Sequence, residues 1–81
     1  VSVFPNPTCL TLFVRFNLIK EDAITIALFD LYGKLILQNN LGKLPQGEHE
    51  QIFDVSNLLE GTYVCRIYGV HQSVNKTVIK N

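Results

Sequence analysis

The clearest structural signal in this chain is the run Leu10-Thr11-Leu12-Phe13-Val14-Arg15-Phe16-Asn17-Leu18. Apolar side chains occupy every second position of this run, and polar side chains stand between most of them. Because successive side chains of a β-strand point to opposite faces, this period of two predicts a strand over 10–18 with one buried face. Phe13 breaks the alternation, and its ring on the outer face indicates either a covered patch or a contact surface.

Outward from this strand, similar patterns separated by turn residues predict six more strands. They cover 1–4, 23–29, 34–40, 48–55, 62–68 and 73–79. The polar pair Asn39-Asn40 is predicted to end the fourth strand, before a loop that contains Gly42, Pro45 and Gly47. No stretch has a helical period, which argues against a parallel sheet with intervening helices. The sequence therefore predicts an all-β fold, a seven-stranded antiparallel sandwich of the Ig-like, Greek-key type.

The segment Asp30-Leu31-Tyr32-Gly33 predicts a β-turn between the third and fourth strands. The Asp30 carboxylate can accept backbone N–H bonds within the turn, and Gly33 tolerates a positive φ at its end. The two flanking strands should therefore form a hairpin.

A second turn is predicted after Asp54, where residues 56–61 fit a tight crossover that tucks Leu58 under the chain. Gly61 allows the chain to change direction as the next strand begins. Tyr63 follows at once, and two roles are open for it. Its hydroxyl either returns to the backbone of the crossover, as in a tyrosine corner, or stays in water.

The composition limits the possible functions. The chain has 81 residues, which suits one domain over 1–81, and 47% of them are hydrophobic against 17% charged, so it should fold. Seven basic residues balance seven acidic ones, and no overall field attracts nucleic acid or anionic lipid. No apolar run approaches the roughly 20 residues of a membrane helix. Since the chain begins at Val1 without a signal peptide, we expect it to be a fragment of a larger secreted protein.

The two cysteines, Cys9 and Cys65, permit one disulfide but are too few for a zinc cage. Cys65 lies in step with Tyr63 and Ile67, where a small buried hydrophobe is expected. A free buried thiol is therefore the favoured interpretation, and the disulfide stays open.

The positions of the histidine, aspartate and glutamate residues in the sequence do not indicate a catalytic site. His49 and His71 are predicted to be solvated loop residues, and nothing brings either to a nucleophile. Asp30 and Asp54 stand at strand ends, where aspartate accepts backbone hydrogen bonds. The triplet 48–50 places its two carboxylates on one strand face and its imidazole on the other, which disfavours a shared metal. We therefore predict no catalytic, cofactor or metal site.

Five motifs follow one another along the chain, and their order carries more information than any one of them. They are Val3-Phe4-Pro5-Asn6-Pro7-Thr8, Leu28-Phe29-Asp30-Leu31-Tyr32-Gly33-Lys34-Leu35-Ile36, Asp54-Val55-Ser56-Asn57-Leu58, Gly61-Thr62-Tyr63-Val64 and Lys76-Thr77-Val78-Ile79-Lys80. In this order, with the lysine-bearing strand last, the series resembles the type A C-terminal sorting domain of the type IX (Por) secretion system. The resemblance covers essentially the whole chain.

This resemblance implies a non-catalytic tag on a passenger protein that has already reached the periplasm. In such a family the folded domain is recognised by the outer-membrane translocon and its shuttle protein. A sortase-like cysteine protease then usually removes the domain, and the passenger is joined to lipopolysaccharide or released. The expected destination is the cell surface or the medium.

Carried over position by position, the family's recognition motifs fall on Pro5, Asn6, Pro7, Gly61, Tyr63, Lys76 and Lys80. Two positions depart from the pattern. Thr8-Cys9 leads directly into the next strand where members commonly have a few more residues, and Cys65 stands where valine is usual.

The last strand is the best candidate for an interaction surface. An edge strand offers unpaired backbone groups to a partner, while Lys76 and Lys80 discourage self-pairing. Pro5 and Pro7 remove N–H donors and should stop the first strand from extending as an adhesive edge.

The main alternative is a fibronectin-like or Ig-like accessory module that spaces domains or binds carbohydrate. Its candidate sugar-stacking residues are Phe13, Tyr32 and Tyr68. Weak self-association through strand edges is a further alternative.

Overall fold

The computed structural model describes all residues, 1–81, and contains seven strands and no helix. The strands are β1 (Ser2–Phe4), β2 (Thr11–Leu18), β3 (Asp22–Asp30), β4 (Leu35–Leu44), β5 (Gly47–Asp54), β6 (Gly61–Tyr68) and β7 (Ser73–Lys80). No helix long and apolar enough to cross a bilayer is therefore present.

Two antiparallel sheets make up the molecule. One has the strand order β1-β2-β5 and the other the order β4-β3-β6-β7. The chain changes sheet after β2, after β4 and after β5, which gives the crossed connections of a Greek-key sandwich. The predicted fold class is confirmed.

The core lies between the sheets and is built from the inward-facing positions of each strand. It consists of Leu12, Val14, Phe16, Leu18, Ile24, Ile26, Leu28, Val55, Tyr63, Cys65, Ile67 and Val78. The strand predicted over 10–18 begins one residue later, because Leu10 lies outside the ladder and is 64% exposed. Its backbone carbonyl accepts a hydrogen bond from Val55 N, so Leu10 joins the two strand ends instead of filling the core.

The two cysteines are free, Cys9 exposed and Cys65 buried. Cys65 is completely enclosed in the core, as its alternation with Tyr63 and Ile67 predicts. Burial raises the pKa of the Cys65 thiol to about 11, because a thiolate is poorly solvated among apolar side chains. Cys65 is therefore a small hydrophobe at neutral pH.

β4 differs from its prediction. It continues past Asn39-Asn40 as far as Leu44, so Gly42 lies within the strand and the turn to β5 is correspondingly short. The register with β3 shifts between Ile24 and Thr25, and Gly42 has a φ of 70° beside this irregularity. Polar residues do not end β4, because it is the outermost strand of its sheet and its outward side chains remain in solvent.

Asp22 was not singled out by sequence reasoning, yet it holds the β6–β7 loop in place. Its carboxylate accepts hydrogen bonds from Val70 N at 3.0 Å and His71 N at 3.1 Å. Burial raises the pKa of this carboxyl, but the hydrogen bonds from the loop and from Ala23 N outweigh burial and lower the pKa below its ordinary 3.8. A Cβ on Gly69 would lie 2.6 Å from Asp22 Oδ2, so the loop approaches this carboxylate as closely as its backbone allows.

Candidate functional site

The proline motif lies against the last strand. Pro5, Asn6 and Pro7 follow β1 directly, all three are exposed, and the peptide bonds before both prolines are cis. The segment leaves the three-stranded sheet and reaches the outer edge of β7 in the other sheet. The first and last motifs of the sequence therefore meet in space.

Asn6 pairs with the backbone of β7 through its side chain. Its Nδ2 donates to Thr77 O at 3.0 Å, and its Oδ1 accepts from Ile79 N at 2.9 Å. An asparagine amide carries both a donor and an acceptor, so it can replace the peptide group of a neighbouring strand. Neither proline could do this, and an aspartate would lose the donor.

Thr8 continues the same pairing with its backbone. Its N–H donates to Ile79 O at 2.8 Å, and its carbonyl accepts from Asn81 N at 2.9 Å. The Thr8 side chain is 1% exposed, and its hydroxyl donates to Thr11 O at 2.6 Å, which ties the segment to the start of β2. We call Asn6 and Thr8 together the clamp.

The clamp covers only the C-terminal half of the β7 edge. Residues in an antiparallel strand alternate between those bonded to the neighbour and those whose backbone groups point away from it. The bound backbone groups of Thr77 and Ile79 point away from β6 toward the clamp. By this alternation, the backbone N–H and C=O groups of Asn75 and Ser73 also point away from β6. The backbone groups from Thr77 O to Asn81 N are therefore bound by the clamp, whereas those from Ser73 to Thr77 N have no strand beside them.

The two lysines of the terminal motif lie in different environments. Lys76 is exposed, although the alternation of β7 turns it toward the core side along with Val74 and Val78. An inward-directed charge is one of the features by which edge strands avoid pairing with another copy, and this role of Lys76 stays a prediction. Lys80 is only 7% exposed, and its Nζ donates to Asn81 O at 2.7 Å. Thr8 of the clamp forms a parallel bridge with Lys80 at this end of β7.

The crossover before β6 forms a tyrosine corner. The Tyr63 hydroxyl donates to Leu59 O at 2.7 Å, which decides between the two roles left open by the sequence. Gly61 has a φ of 151°, and Leu58 is half-buried against the core. Gly61 and Tyr63 therefore stabilise the connection that leads into β6, the strand that pairs with β7.

Each turn aspartate is engaged locally. Asp30 Oδ1 accepts hydrogen bonds from Tyr32 N and Lys34 N, both at 2.9 Å, and Gly33 has a φ of 84°. Asp54 Oδ1 accepts from the hydroxyl and the backbone N–H of Ser56, and these two bonds lower the pKa of the Asp54 carboxyl. The two carboxylates end strands of different sheets.

Neither histidine is hydrogen-bonded to a hydroxyl or a thiol. His71 is exposed in the β6–β7 loop, as predicted. His49 is not a loop residue, since it lies within β5, stacks on Phe16 at 5.5 Å between ring centroids, and has Nε2 2.8 Å from Pro45 O. No group of three or more histidine, cysteine, aspartate or glutamate side chains is arranged to hold a metal ion.

The aromatic residues considered for sugar stacking lie on separate surfaces. Phe13 stacks on Phe4 on the outer face of the three-stranded sheet, with 5.4 Å between ring centroids. Tyr32 projects from the β3–β4 turn, and Tyr68 lies on the other sheet beneath the guanidinium of Arg66, 4.8 Å from the ring centroid. They form no common platform for a sugar ring.

Comparison with known proteins bears on this geometry. No curated protein and no solved structure matches the chain. The model of one family, described as secretion system C-terminal sorting domain, matches residues 2–81. The resemblance carried by the motifs is thereby confirmed. Because this match spans essentially the whole chain, the protein belongs to the C-terminal sorting domains of the type IX (Por) secretion system, the tags that direct proteins across the outer membrane to the cell surface or the medium.

Proposed function

We propose that this domain is a folded handle that the outer-membrane translocon and its shuttle protein recognise in the periplasm, and that a sortase-like cysteine protease afterwards removes. The recognition surface is assigned to the region where the proline motif meets the terminal lysine motif. Gly61 and Tyr63 support that region from the crossover and do not contact the machinery.

The observation that carries this proposal is the clamp. Asn6 and Thr8 bind four backbone groups of the last strand and the residue that follows it, at Thr77, Ile79 and Asn81. A partner that binds this end of the domain therefore contacts the proline motif and the terminal lysine motif together, and it can do so only when the domain is folded. Recognition of the assembled region therefore makes export depend on the folded sandwich and not on the last strand alone.

The test is a fluorescent reporter that carries its own periplasmic export signal, with this chain fused to its C-terminus, in a bacterium that has the type IX system. The reporter should reach the cell surface or the medium with the chain and remain periplasmic without it. Deleting residues 77–81 should also leave it in the periplasm. Equal export of the reporter with and without the chain would refute the sorting role.

A point variant examines the clamp itself. Asn6→Ala removes the two side-chain bonds to β7, each worth about 0.5–1.5 kcal/mol, and should reduce export. Asn17→Ala, at an exposed position of β2 outside the five motifs, is the matched control and should export normally. If Asn6→Ala exports as well as Asn17→Ala, the clamped end is not what the machinery recognises.

A further inference from the structure

The last two strands carry only one sign of charge. Residues 61–81 contain Arg66, Lys76 and Lys80 and no aspartate or glutamate, although the whole chain is neutral. All acidic side chains therefore lie in residues 1–60, and the Arg66 and Lys76 side chains are exposed beside β7. A segment beside residues 73–77 therefore meets the exposed cationic side chains of Arg66 and Lys76, which favour acidic side chains, and the one carboxylate that lines the neighbouring cavity is that of Asp30.

The same edge retains a short row of free backbone groups. Both backbone groups of Ser73 and Asn75 and the N–H of Thr77 point away from β6, and no strand lies beside them. The next group along, Thr77 O, is already bonded to Asn6. An added strand therefore has a fixed end point, because the clamp occupies the position it would need next.

A cavity opens beside this row on the outer face of the four-stranded sheet. It has a volume of about 410 Å³, with Phe29, Leu31 and Val64 as its apolar lining and Asp30, Arg66 and Asn75 as its polar side chains. Asn75 belongs both to the cavity and to the free edge. Every second side chain of a strand beside β7 would face the same way as Asn75, so the cavity can accept one of them.

We propose that residues 73–77 of β7 accept an extended, acidic segment of a partner protein as an additional strand, with one apolar side chain of that segment in the cavity. This inference rests on the proposed sorting role and names the chemistry of its partner. Backbone hydrogen bonds supply the affinity of such strand addition, and the cavity together with Arg66 and Lys76 supplies the selectivity.

Asn75→Pro tests the free edge directly. The Asn75 N–H faces away from β6, so proline there removes a donor from the open row without removing a ladder bond. An edge-strand position of this kind is one of the few in a sheet that tolerate proline. Asn75→Ala is the matched control, because it loses the same side chain and keeps the N–H. Lys76→Glu, compared with Lys43→Glu on β4 at the opposite edge of the sheet, tests the charge by a route that leaves the backbone unchanged.

The experiment uses the reporter fusion described above together with a benzophenone photo-crosslinker placed at Ser73, or at Ile52 on the other sheet. Asn75→Pro and Lys76→Glu should each reduce export at least about tenfold, equivalent to about 1.4 kcal/mol of binding free energy, while both controls export normally. Crosslinks from Ser73, and not from Ile52, should map to an acidic extended segment.

The outcomes separate the two proposals. If the unmodified chain fails to export the reporter, the sorting role falls and the strand-addition inference falls with it. If the unmodified chain works and Asn75→Pro exports equally well, only strand addition is overturned. Crosslinks from Ser73 to a second copy of the chain, or to a basic segment, also overturn it. If Asn75→Pro melts well below Asn75→Ala, the comparison of Lys76→Glu with Lys43→Glu decides.

Discussion

Replacing Tyr63 by phenylalanine isolates the tyrosine corner. The change removes one hydroxyl that donates to Leu59 O at 2.7 Å and leaves the ring, which is 7% exposed, in its place in the core. The loss is that of a single hydrogen bond between neutral groups, about 1 kcal/mol net. For a domain of this size, that free energy corresponds to a fall in melting temperature of about 4–8 °C.

Circular dichroism of the isolated 81-residue chain during thermal and urea unfolding measures this effect. Tyr32→Phe is the control, because Tyr32 is 97% exposed and its hydroxyl makes no hydrogen bond within the chain, so its melting temperature should equal that of the unmodified protein. The urea slope should be the same for all three proteins, since none changes the surface exposed on unfolding. If Tyr63→Phe melts within about 1 °C of Tyr32→Phe, the hydroxyl does not stabilise the crossover and the reasoning is refuted.

Two further predictions concern ionisation. The folded pKa of Asp22 lies below 3.8, so the stability that its ionised form provides is fully present above the unfolded pKa and is lost as the pH falls through the folded pKa. Asp22→Asn should therefore be less stable than the unmodified protein at pH 7 and should lose less stability on acidification. Parallel acid-unfolding curves of the two proteins would contradict this. Cys9 is exposed, whereas Cys65 is buried with a pKa of about 11, so Ellman's reagent at pH 8 should modify one thiol rapidly in the native protein and the second only on unfolding; rapid modification of both, or of neither, would contradict the structure.

The faces of the strands were predictable because they depend on local alternation. The period of two at Leu12, Val14 and Phe16 predicts which side of β2 is buried, and the structure buries that side. Turn chemistry was equally local, since Asp30 and Gly33 hold the β3–β4 turn through bonds within a few residues. The boundary of β4 was missed because an edge strand tolerates polar residues that would end a strand with one buried face.

The motifs were visible in sequence, but their relation in space was not. Nothing in Pro5-Asn6-Pro7 indicates that the asparagine amide binds a strand more than 70 residues later, with Thr77 and Ile79 as its partners. The role of Asp22, which receives N–H bonds from Val70 and His71, was hidden for the same reason. Short polar side chains form such bonds wherever topology brings a free backbone group within reach, and their residue type does not name the partner.

The sequence by itself determined the two-sheet class, the faces of the strands and the family, because alternation, turn residues and motif order are properties of neighbours along the chain. Tertiary structure alone decided which half of β7 is covered, why Lys80 is buried while Lys76 is exposed, and where a free edge remains. The physical reason is that the edge of a sheet is satisfied by whatever segment the crossed connections bring beside it, and here that segment comes from the opposite end of the chain.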